Sequence, residues 1–331
     1  MTLHRQLVTA ALAVLAAGAV AACGSASASL APRRSSSSRG EHGARAAGTS
    51  KRVASSPPRP RDRAASVHLG LPVDRYPAAL TAGWQTITMI GKRPAVWIAV
   101  RRGVTLVRID QRVVHLALHA GSVDPGGTGW HYGDTVGGRE IHHLILGVNG
   151  GFKFSTASGG FLSFGRIGSP LRAGYGSIVT YANGETQIGA WEAGIPAPGV
   201  AIASVRQNLH LLIDHGVPAS SVVSCGAACW GATIGNQSAV ARSALGIRGD
   251  GQLVWAAGED LTVGGLADGL VAAGVQRAVQ LDINPDWVAG YLYVHHATAP
   301  LTPVPVVPGQ YGIYGHLLLP YSRDFFTVLS N

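Results

Sequence analysis

The stretch RSALGIRGDGQLVWAAGEDLTVGGLADGLVAAGVQRAVQLDI, residues 242–283, contains the clearest structural pattern of the chain. Its first part predicts two strands joined by a turn at Gly249-Asp250-Gly251, because apolar side chains flank that tripeptide on both sides. Thr262 is a candidate helix N-cap and Gly274 a candidate helix stop, so a helix is predicted between them. An apolar strand, residues 277–283, follows. The pattern predicts a strand–turn–strand–helix–strand unit.

The rest of the chain predicts more strands than helices. Residues 95–120 alternate apolar and polar side chains and predict two or three strands, and residues 141–148 predict a buried strand. A turn between strands is predicted at Ala182-Asn183-Gly184, and the short apolar run in residues 206–216 favours a strand over a helix. We therefore expect an α+β fold, mostly β-sheet with few helices, as a single domain over residues 67–331.

The first residues of the chain predict export. Arg5 supplies a positive charge, and Leu7–Ala22 is an apolar run that suits a signal peptide and is short for a membrane span. Val20-Ala21-Ala22-Cys23 resembles a lipobox, which predicts cleavage after the signal peptide (residues 1–22) and acylation of Cys23. We expect an extracytoplasmic lipoprotein anchored to the membrane through Cys23. The alternative is an ordinary signal peptide and a secreted protein.

Residues 23–66 have the composition of a disordered tether. They are rich in Ser, Pro, Ala and Arg, and they cannot bury enough apolar surface to offset the entropy of ordering. Residues 31–65 carry nine basic and two acidic side chains; with Arg5 they account for all but about +1 of the net charge of +9. A basic segment next to a lipid anchor fits an anionic membrane surface or an anionic wall polymer.

Several classes of function are disfavoured. Since the basic residues lie outside the predicted domain, that domain has no basic stripe that would indicate binding to nucleic acid. The motifs G-x-S-x-G and H-E-x-x-H, the P-loop and the G-x-G-x-x-G loop are absent from the sequence. Their absence argues against the commonest serine hydrolases, zinc proteases and nucleotide-binding proteins.

Cys225 and Cys229 are expected to form a disulfide, because the pair is closely spaced in a protein predicted to reach an oxidising compartment. Zinc is a weaker alternative, since no second pair of cysteines is present. The neighbouring histidines at 142–143 and 295–296 would point to opposite faces of a strand and could not chelate together. We therefore predict no metal site. The sequence requires no cofactor, and it does not decide whether a divalent cation is bound.

Asp282 is an unusual residue because it ends an otherwise apolar strand. A buried carboxylate is costly unless it has a partner or a chemical role, and both interpretations remain open. Asn149, Gly150 and Gly151 follow a buried strand; their N–H groups could form an anion-binding nest, or they could be a plain hairpin turn. Arg242 could bind a phosphate or a carboxylate, although most arginines are solvated surface residues.

Four further polar positions and one aromatic residue are candidates for substrate binding. Arg206 and Asn208 lie together in the sequence VRQNL. Like Arg242, they could bind a ligand or be ordinary surface residues. Asn284 and Asp286 flank a proline and are either Asx-turn residues or part of a binding loop. Trp287 either stacks on a sugar ring or fills the core.

An ordered set of motifs resembles the phosphodiester glycosidase family, which includes the lysosomal uncovering enzyme and many exported bacterial proteins. The motifs are VNGGFKF (148–154), RSALGIRGDG (242–251) and GGLADGLVAAGVQRAVQLD (264–282), within a resemblance that covers roughly residues 95–330. VRQNLHLLIDHG (205–216) and SRDFF (322–326) further resemble a bacterial subgroup of exported lipoproteins. Lys153 replaces a phenylalanine of the family pattern, and INPDW (283–287) replaces its glycine run.

The resemblance implies hydrolysis of a sugar-1-phosphodiester, with water attacking the anomeric carbon and a phosphomonoester leaving. It implies that Asp282 is the catalytic carboxylate and that Arg242 binds the phosphate. Asn149, with Gly150 and Gly151, would orient the substrate, so these residues are expected to converge on one cleft. The expected partner is a sugar phosphate or a wall glycopolymer. Two alternatives remain: a non-catalytic binder of anionic wall glycopolymer, and a metal-assisted phosphodiesterase.

Overall fold

The computed structural model describes residues 83–156, 158–225, 227–311 and 317–331. Over these residues the protein consists mostly of β-sheet with few helices, which confirms the predicted α+β class. The predicted signal peptide (residues 1–22) and the predicted tether (residues 23–66) with Cys23 lie outside the described residues. None of the helices in the described ranges is long and apolar enough to span a membrane.

The strands of the described residues, in chain order, are short to medium in length. They are β1 (Gln85–Ile90), β2 (Arg93–Arg101), β3 (Val104–Ile109), β4 (Val114–His119), β5 (Leu144–Asn149), β6 (Phe161–Ser163), β7 (Arg166–Ser169), β8 (Gly176–Tyr181), β9 (Thr186–Trp191), β10 (Gly194–Ile195), β11 (Ile202–Gln207), β12 (Leu211–Asp214), β13 (Val217–Pro218), β14 (Val240–Arg248), β15 (Leu253–Leu261), β16 (Val275–Ile283), β17 (Gly290–Val294), β18 (Thr302–Pro305) and β19 (Phe325–Ser330).

The helices are fewer and, with one exception, only a turn long. The α-helices are α1 (Ser221–Ser224), α2 (Ala227–Trp230) and α3 (Val263–Ala272), and the 3-10 helices are Gly138–His142, Phe154–Thr156 and Ile234–Asn236. Among the helices of the described residues, only α3 is long enough to cover a sheet, and it is the helix that the sequence predicted.

The strands form three sheets, in which nearly all neighbours are antiparallel. Sheet 1 has the order β1-β2-β3-β15-β14-β16-β12-β13, sheet 2 has the order β10-β9-β8-β11-β6-β7, and sheet 3 has the order β18-β17-β5-β19-β4. The largest apolar cluster joins all three, with Leu245 of sheet 1, Ile178 of sheet 2, and Leu146 and Phe326 of sheet 3. The main core therefore lies between the three sheets.

The predicted strand–turn–strand–helix–strand unit is confirmed as β14, β15, α3 and β16. The hydroxyl of Thr262 accepts a hydrogen bond from the Gly265 N–H at 3.0 Å, and Gly274 takes a φ of +80° directly after the helix. Leu266 and Leu270 of α3 are fully buried against sheet 1. Sheet 1 thus has α3 on one face and the other two sheets on its opposite face.

The buried strand predicted over residues 141–148 is shorter at its N-terminal end than expected. Residues 141 and 142 belong to a 3-10 helix, and the His143 N–H donates to the Glu140 carbonyl at 2.9 Å. Strand β5 therefore begins at Leu144. It ends at Asn149, so the predicted turn residues Gly150 and Gly151 directly follow a fully buried strand.

Candidate active site

A β-bulge in β16 decides where the Asp282 carboxylate points. On β14 and β16, Arg242 pairs with Ile283 and Ala244 pairs with Gln280, so two residues of β16 lie opposite the single residue Ser243. Bulges of this kind redirect a side chain and occur often beside active sites. The Ser243 hydroxyl donates to the Asp282 carbonyl at 3.1 Å and so holds the bulged backbone in place.

Asp282 lies at the floor of a cavity of about 380 Å³, here called the Asp282 cavity. Only 5% of Asp282 is exposed, and Arg323 beside it is 4% exposed. The other lining residues are mainly apolar, and the polar Lys153 and Thr156 among them are exposed: Phe152, Lys153, Thr156, Leu209, Ala228, Gly231, Ala232, Ile283, Asn284 and Trp287. A concave apolar site with a few convergent polar groups is the usual form of a small-molecule site.

Two hydrogen-bond donors hold the Asp282 carboxylate, which is almost completely shielded from solvent. Arg323 Nη2 donates to Asp282 Oδ2 at 2.8 Å, and the Ile283 N–H donates to Asp282 Oδ1 at 2.8 Å. Burial raises the pKa of Asp282 to about 7, whereas the positive charge of Arg323 acts to lower it. A carboxyl group with a pKa near neutrality can take up or release a proton at physiological pH.

Two cations flank the Trp287 ring at the cavity, and their surroundings differ. Arg323 Cζ is 4.9 Å from the Trp287 ring centroid, and Lys153 Nζ is 5.0 Å from the same centroid. Arg323 is shared between two carboxylates, since its Nε also lies 3.0 Å from Asp124 Oδ2. Lys153 is exposed and forms no ion pair with any described residue. Lys153 is therefore the cation at this cavity that is available to an anionic ligand.

A buried ion pair supports the backbone on which the cavity is built. Arg206 and Asp324 have fully buried side chains, and the guanidinium binds both carboxylate oxygens, at 2.7 and 3.1 Å. The N–H of Gly150 donates to the Asp324 carbonyl at 3.1 Å, and the N–H of Gly151 donates to Asp324 Oδ2 at 3.2 Å. A Cβ atom on Gly151 would lie 2.6 Å from Arg206 Nη2, so this position has no space for a side chain.

These contacts correct the predicted anion-binding nest. The N–H groups of Gly150 and Gly151 are both directed to Asp324, so they are not available to a ligand. The two glycines are needed because the chain packs against a buried ion pair, which is a structural role.

Arg206 and Asn208, which were predicted to bind substrate, do not line the Asp282 cavity. Arg206 Nη2 donates to the Phe152 carbonyl at 2.6 Å, and the Asn208 amide oxygen accepts from the Phe152 N–H at 3.1 Å. Asn208 also donates to the Leu281 carbonyl at 2.8 Å. Both side chains lie behind the cavity wall. Asn208 joins the segment that contains Phe152 to the end of β16, and Arg206 joins the same segment to Asp324.

Asn149, Arg242 and Asp282 do not converge on one cleft, contrary to the expectation from the sequence. Asn149 is 2% exposed, and its amide donates to Ser243 Oγ at 2.9 Å, so it acts on Asp282 only through Ser243. Arg242 lines a different cavity, which includes the start of α3. Arg242 and Asp282 line different cavities because the bulge in β16 directs their side chains towards opposite faces of sheet 1.

The loop after β16 contributes two of its three candidate residues. Trp287 and Asn284 line the Asp282 cavity, whereas Asp286 is exposed and does not line it. The Asn284 side chain accepts from the Ile234 N–H at 3.1 Å, and its backbone has a φ of +75°. The chain does turn here, but through the backbone, because the Trp287 N–H donates to the Asn284 carbonyl at 3.1 Å. The Asn284 side chain is directed to Ile234, so it does not form the predicted Asx turn.

The disulfide predicted between Cys225 and Cys229 is present. Ala228 and Gly231, in and just after the disulfide-linked segment, line the Asp282 cavity, so the disulfide constrains one of its walls. In the described ranges there is no cluster of three His, Cys, Asp or Glu side chains with the arrangement of a metal site.

Two charged residues of the site were not identified from the sequence. Arg323 and Asp324 stand next to each other just before β19, and each pairs with an oppositely charged residue distant in the chain. Their signal was present in SRDFF, where two opposite charges directly precede an apolar strand. Because Arg and Asp are rarely buried unless they are paired, two such residues directly before a buried strand would each need a partner.

No protein-family model matches the chain, and comparison with curated proteins finds no similar sequence. The chain is similar in structure to the catalytic domain of zebrafish N-acetylglucosamine-1-phosphodiester alpha-N-acetylglucosaminidase, at 14% identity and a TM-score of 0.46 over 82% of this chain and 96% of that chain. It is also similar to a Synechocystis protein, at 14% identity and a TM-score of 0.43 over 75% of this chain and 64% of that chain. A third similar structure is a Burkholderia pseudomallei protein, at 12% identity and a TM-score of 0.33 over 72% of this chain and 75% of that chain. At these identities and scores, a function has to be argued from the residues of the site.

We predict that Asp324→Asn lowers the free energy of unfolding by about 3–5 kcal/mol, because it leaves the buried Arg206 guanidinium without a counter-charge. Urea denaturation of the full-length protein measures the change. Asp286→Asn is the matched control, since Asp286 is exposed, and it should shift stability by less than about 0.5 kcal/mol. Equal stabilities of the two variants would contradict the structural role of the ion pair.

Proposed function

We propose that this protein is an exported hydrolase that cleaves the glycosidic bond of a sugar-1-phosphodiester in the Asp282 cavity. The observation that carries the proposal is the Asp282 carboxyl itself: it lies at the floor of a concave, largely apolar site, and burial raises its pKa to about 7. The motifs that resemble the phosphodiester glycosidase family support the same reaction. Export and anchoring through an acylated Cys23 are part of the proposal, and they rest on the sequence of residues 1–66.

In the proposed reaction, water attacks the anomeric carbon, the bond between that carbon and the phosphate oxygen breaks, and a phosphomonoester leaves. Because phosphate is already a good leaving group, the reaction has less need of a strong general acid than ordinary glycoside hydrolysis. Asp282, in its carboxylate form, accepts the proton of the attacking water or stabilises positive charge at the anomeric carbon. Arg323 acts as a positioning residue, because it fixes Asp282 Oδ2 at 2.8 Å.

The proposed position of the phosphate is at the rim, next to Lys153. This side chain is exposed and without an acidic partner among the described residues, and it lies close to Trp287. An apolar ring beside a cation suits a sugar phosphate, since the ring can cover the sugar while the ammonium group neutralises the phosphate. Arg242 is not part of this assignment, because it lines another cavity.

We predict that Asp282→Asn lowers kcat/KM by about 10²–10⁴-fold on an aryl phosphodiester of a sugar 1-phosphate, because the amide cannot accept a proton. The panel of substrates contains glucose and N-acetylglucosamine derivatives, and release of free sugar is measured. Asp286→Asn, in the same loop but outside the cavity, should retain full activity. Undiminished hydrolysis by a folded Asp282→Asn protein would refute the assignment.

The products distinguish the competing functions. Free sugar together with a phosphomonoester indicates cleavage at the anomeric carbon. An intact sugar phosphate, with activity lost on addition of a chelator, would indicate a metal-assisted phosphodiesterase instead. Retention of wall polymer without release of either product would indicate a binding protein.

The pH dependence should show the titration of Asp282. Because its pKa is raised to about 7 and the carboxylate is the active form, kcat/KM should rise with pH through about 7 and then level off. The phosphodiester does not titrate in this range, so the change belongs to the enzyme. The profile of Asp282→Asn should lack this rise in its residual activity. A wild-type profile that falls through pH 7 would mean that the protonated carboxyl is the active form.

Lys153→Ala should raise KM by about two- to fivefold with little change in kcat, because an exposed cation contributes modest binding energy to both ground and transition states. Lys153→Arg keeps the charge and should stay within a factor of two of the wild type, by the same argument. Steady-state kinetics on the same aryl phosphodiester measures both variants. Unchanged kcat and KM in Lys153→Ala would contradict the placement of the phosphate beside Lys153.

A further inference from the structure

A second cavity, of about 440 Å³, opens on the face of sheet 1 that carries α3, and it is here called the Arg242 cavity. It is separate from the Asp282 cavity, with which it shares no lining residue. Its lining combines the start of α3, a polar loop and two valines: Val222, Val223, Thr233, Asn236, Gln237, Ser238, Arg242, Thr262, Val263 and Gly264. Among the described residues, no Asp or Glu belongs to this lining.

Arg242 is a buried cation without a counter-charge. It is 3% exposed, and among the described residues no carboxylate pairs with it. Its Nε donates to the Leu261 carbonyl at 2.9 Å and its Nη1 lies 3.4 Å from Gln280 Oε1. Its Nη2 has no hydrogen-bond partner among the described residues. Burial lowers the pKa of Arg242, with no acidic neighbour to oppose the effect. A buried, unpaired guanidinium is costly unless an anion accompanies it.

The start of α3 provides a second positive contribution at the same cavity. The helix has ten residues, and its first turn contains no acidic side chain. The aligned peptide dipoles therefore give its N-terminus a partial positive charge that no acidic side chain of the first turn offsets. Thr262 caps only the Gly265 N–H. Gly264 has no side chain, and a Cβ there would have only ordinary contacts, at 3.8 Å or more, so a ligand can approach the backbone.

We propose that the Arg242 cavity binds an oxyanion, specifically the phosphate group of a small phosphate ester. Helix N-termini with glycine at the first turn bind phosphate through backbone N–H groups, and a guanidinium adds a charged donor from the side. The volume of the cavity exceeds that of a bare phosphate ion, so a small sugar or alcohol attached to the phosphate has space beside Val222 and the polar loop 236–238. This site is distinct from the proposed reaction at Asp282 and does not depend on it.

Gly264→Asp tests the proposal because it places a carboxylate at the helix N-terminus, where it competes with an external anion. Isothermal titration of the full-length protein with inorganic phosphate and with glycerol 3-phosphate measures the affinity. We expect Gly264→Asp to weaken both affinities by about tenfold or more, since a tethered carboxylate acts at a high effective concentration. Gly264→Asn is the matched control: it has the same shape without the charge, and it should keep binding within about threefold, the usual effect of a neutral surface change.

Arg242→Gln should also abolish binding of phosphate. If that variant does not fold, the comparison of Gly264→Asp with Gly264→Asn tests the proposal by itself. Equal affinities of Gly264→Asp and the wild type would overturn the proposal. So would loss of the phosphate signal in Lys153→Ala with full binding retained in Gly264→Asp, because the anion would then occupy the Asp282 cavity. Absence of binding to the wild type at millimolar phosphate and glycerol 3-phosphate would equally overturn it.

Discussion

The buried ion pair between Arg206 and Asp324 is the interaction on which the Asp282 cavity depends. Two charges with no exposure are stable together only if their hydrogen-bonding groups are satisfied, and here the pair is bidentate. The same groups also accept from Gly151 and donate to Phe152. The ion pair thereby fixes the backbone that follows β5, from which the cavity takes Phe152 and Lys153.

The ion pair of Asp324 also constrains the Asp282 carboxyl, because the neighbouring residue Arg323 binds that carboxyl. Arg323 precedes Asp324, so the ion pair that orders Asp324 also fixes the position from which Arg323 reaches Asp282. From the other side, Ser243 holds the bulged backbone of Asp282, and Asn149 holds Ser243. Asp282 therefore sits in a rigid hydrogen-bonded frame, as a preorganised carboxylate requires. The exposed Lys153 and the Trp287 ring at the rim are the parts that remain available to a ligand.

The two cavities lie on opposite faces of sheet 1, and their electrostatics differ accordingly. On the face turned to sheets 2 and 3, Asp282 is compensated by Arg323. On the face covered by α3, Arg242 has no compensating acid among the described residues, and the helix N-terminus adds to its positive potential. One strand pair, β14 and β16, thus supplies an acidic residue to one face and a basic residue to the other.

The sequence by itself determined the local structure of this protein: the β14–β15–α3–β16 unit, the Thr262 cap, the hairpin at Asn183-Gly184 and the Cys225–Cys229 disulfide. Each depends on residues close together in the chain, where periodicity, capping and turn preferences act directly. It also singled out Asp282, because a carboxylate in an apolar strand is visible without a structure. Only the tertiary structure decided which residues surround it. Arg323 reaches Asp282 across the fold, and the bulge that directs Asp282 away from Arg242 arises from strand pairing, which is set by packing between distant segments rather than by local sequence.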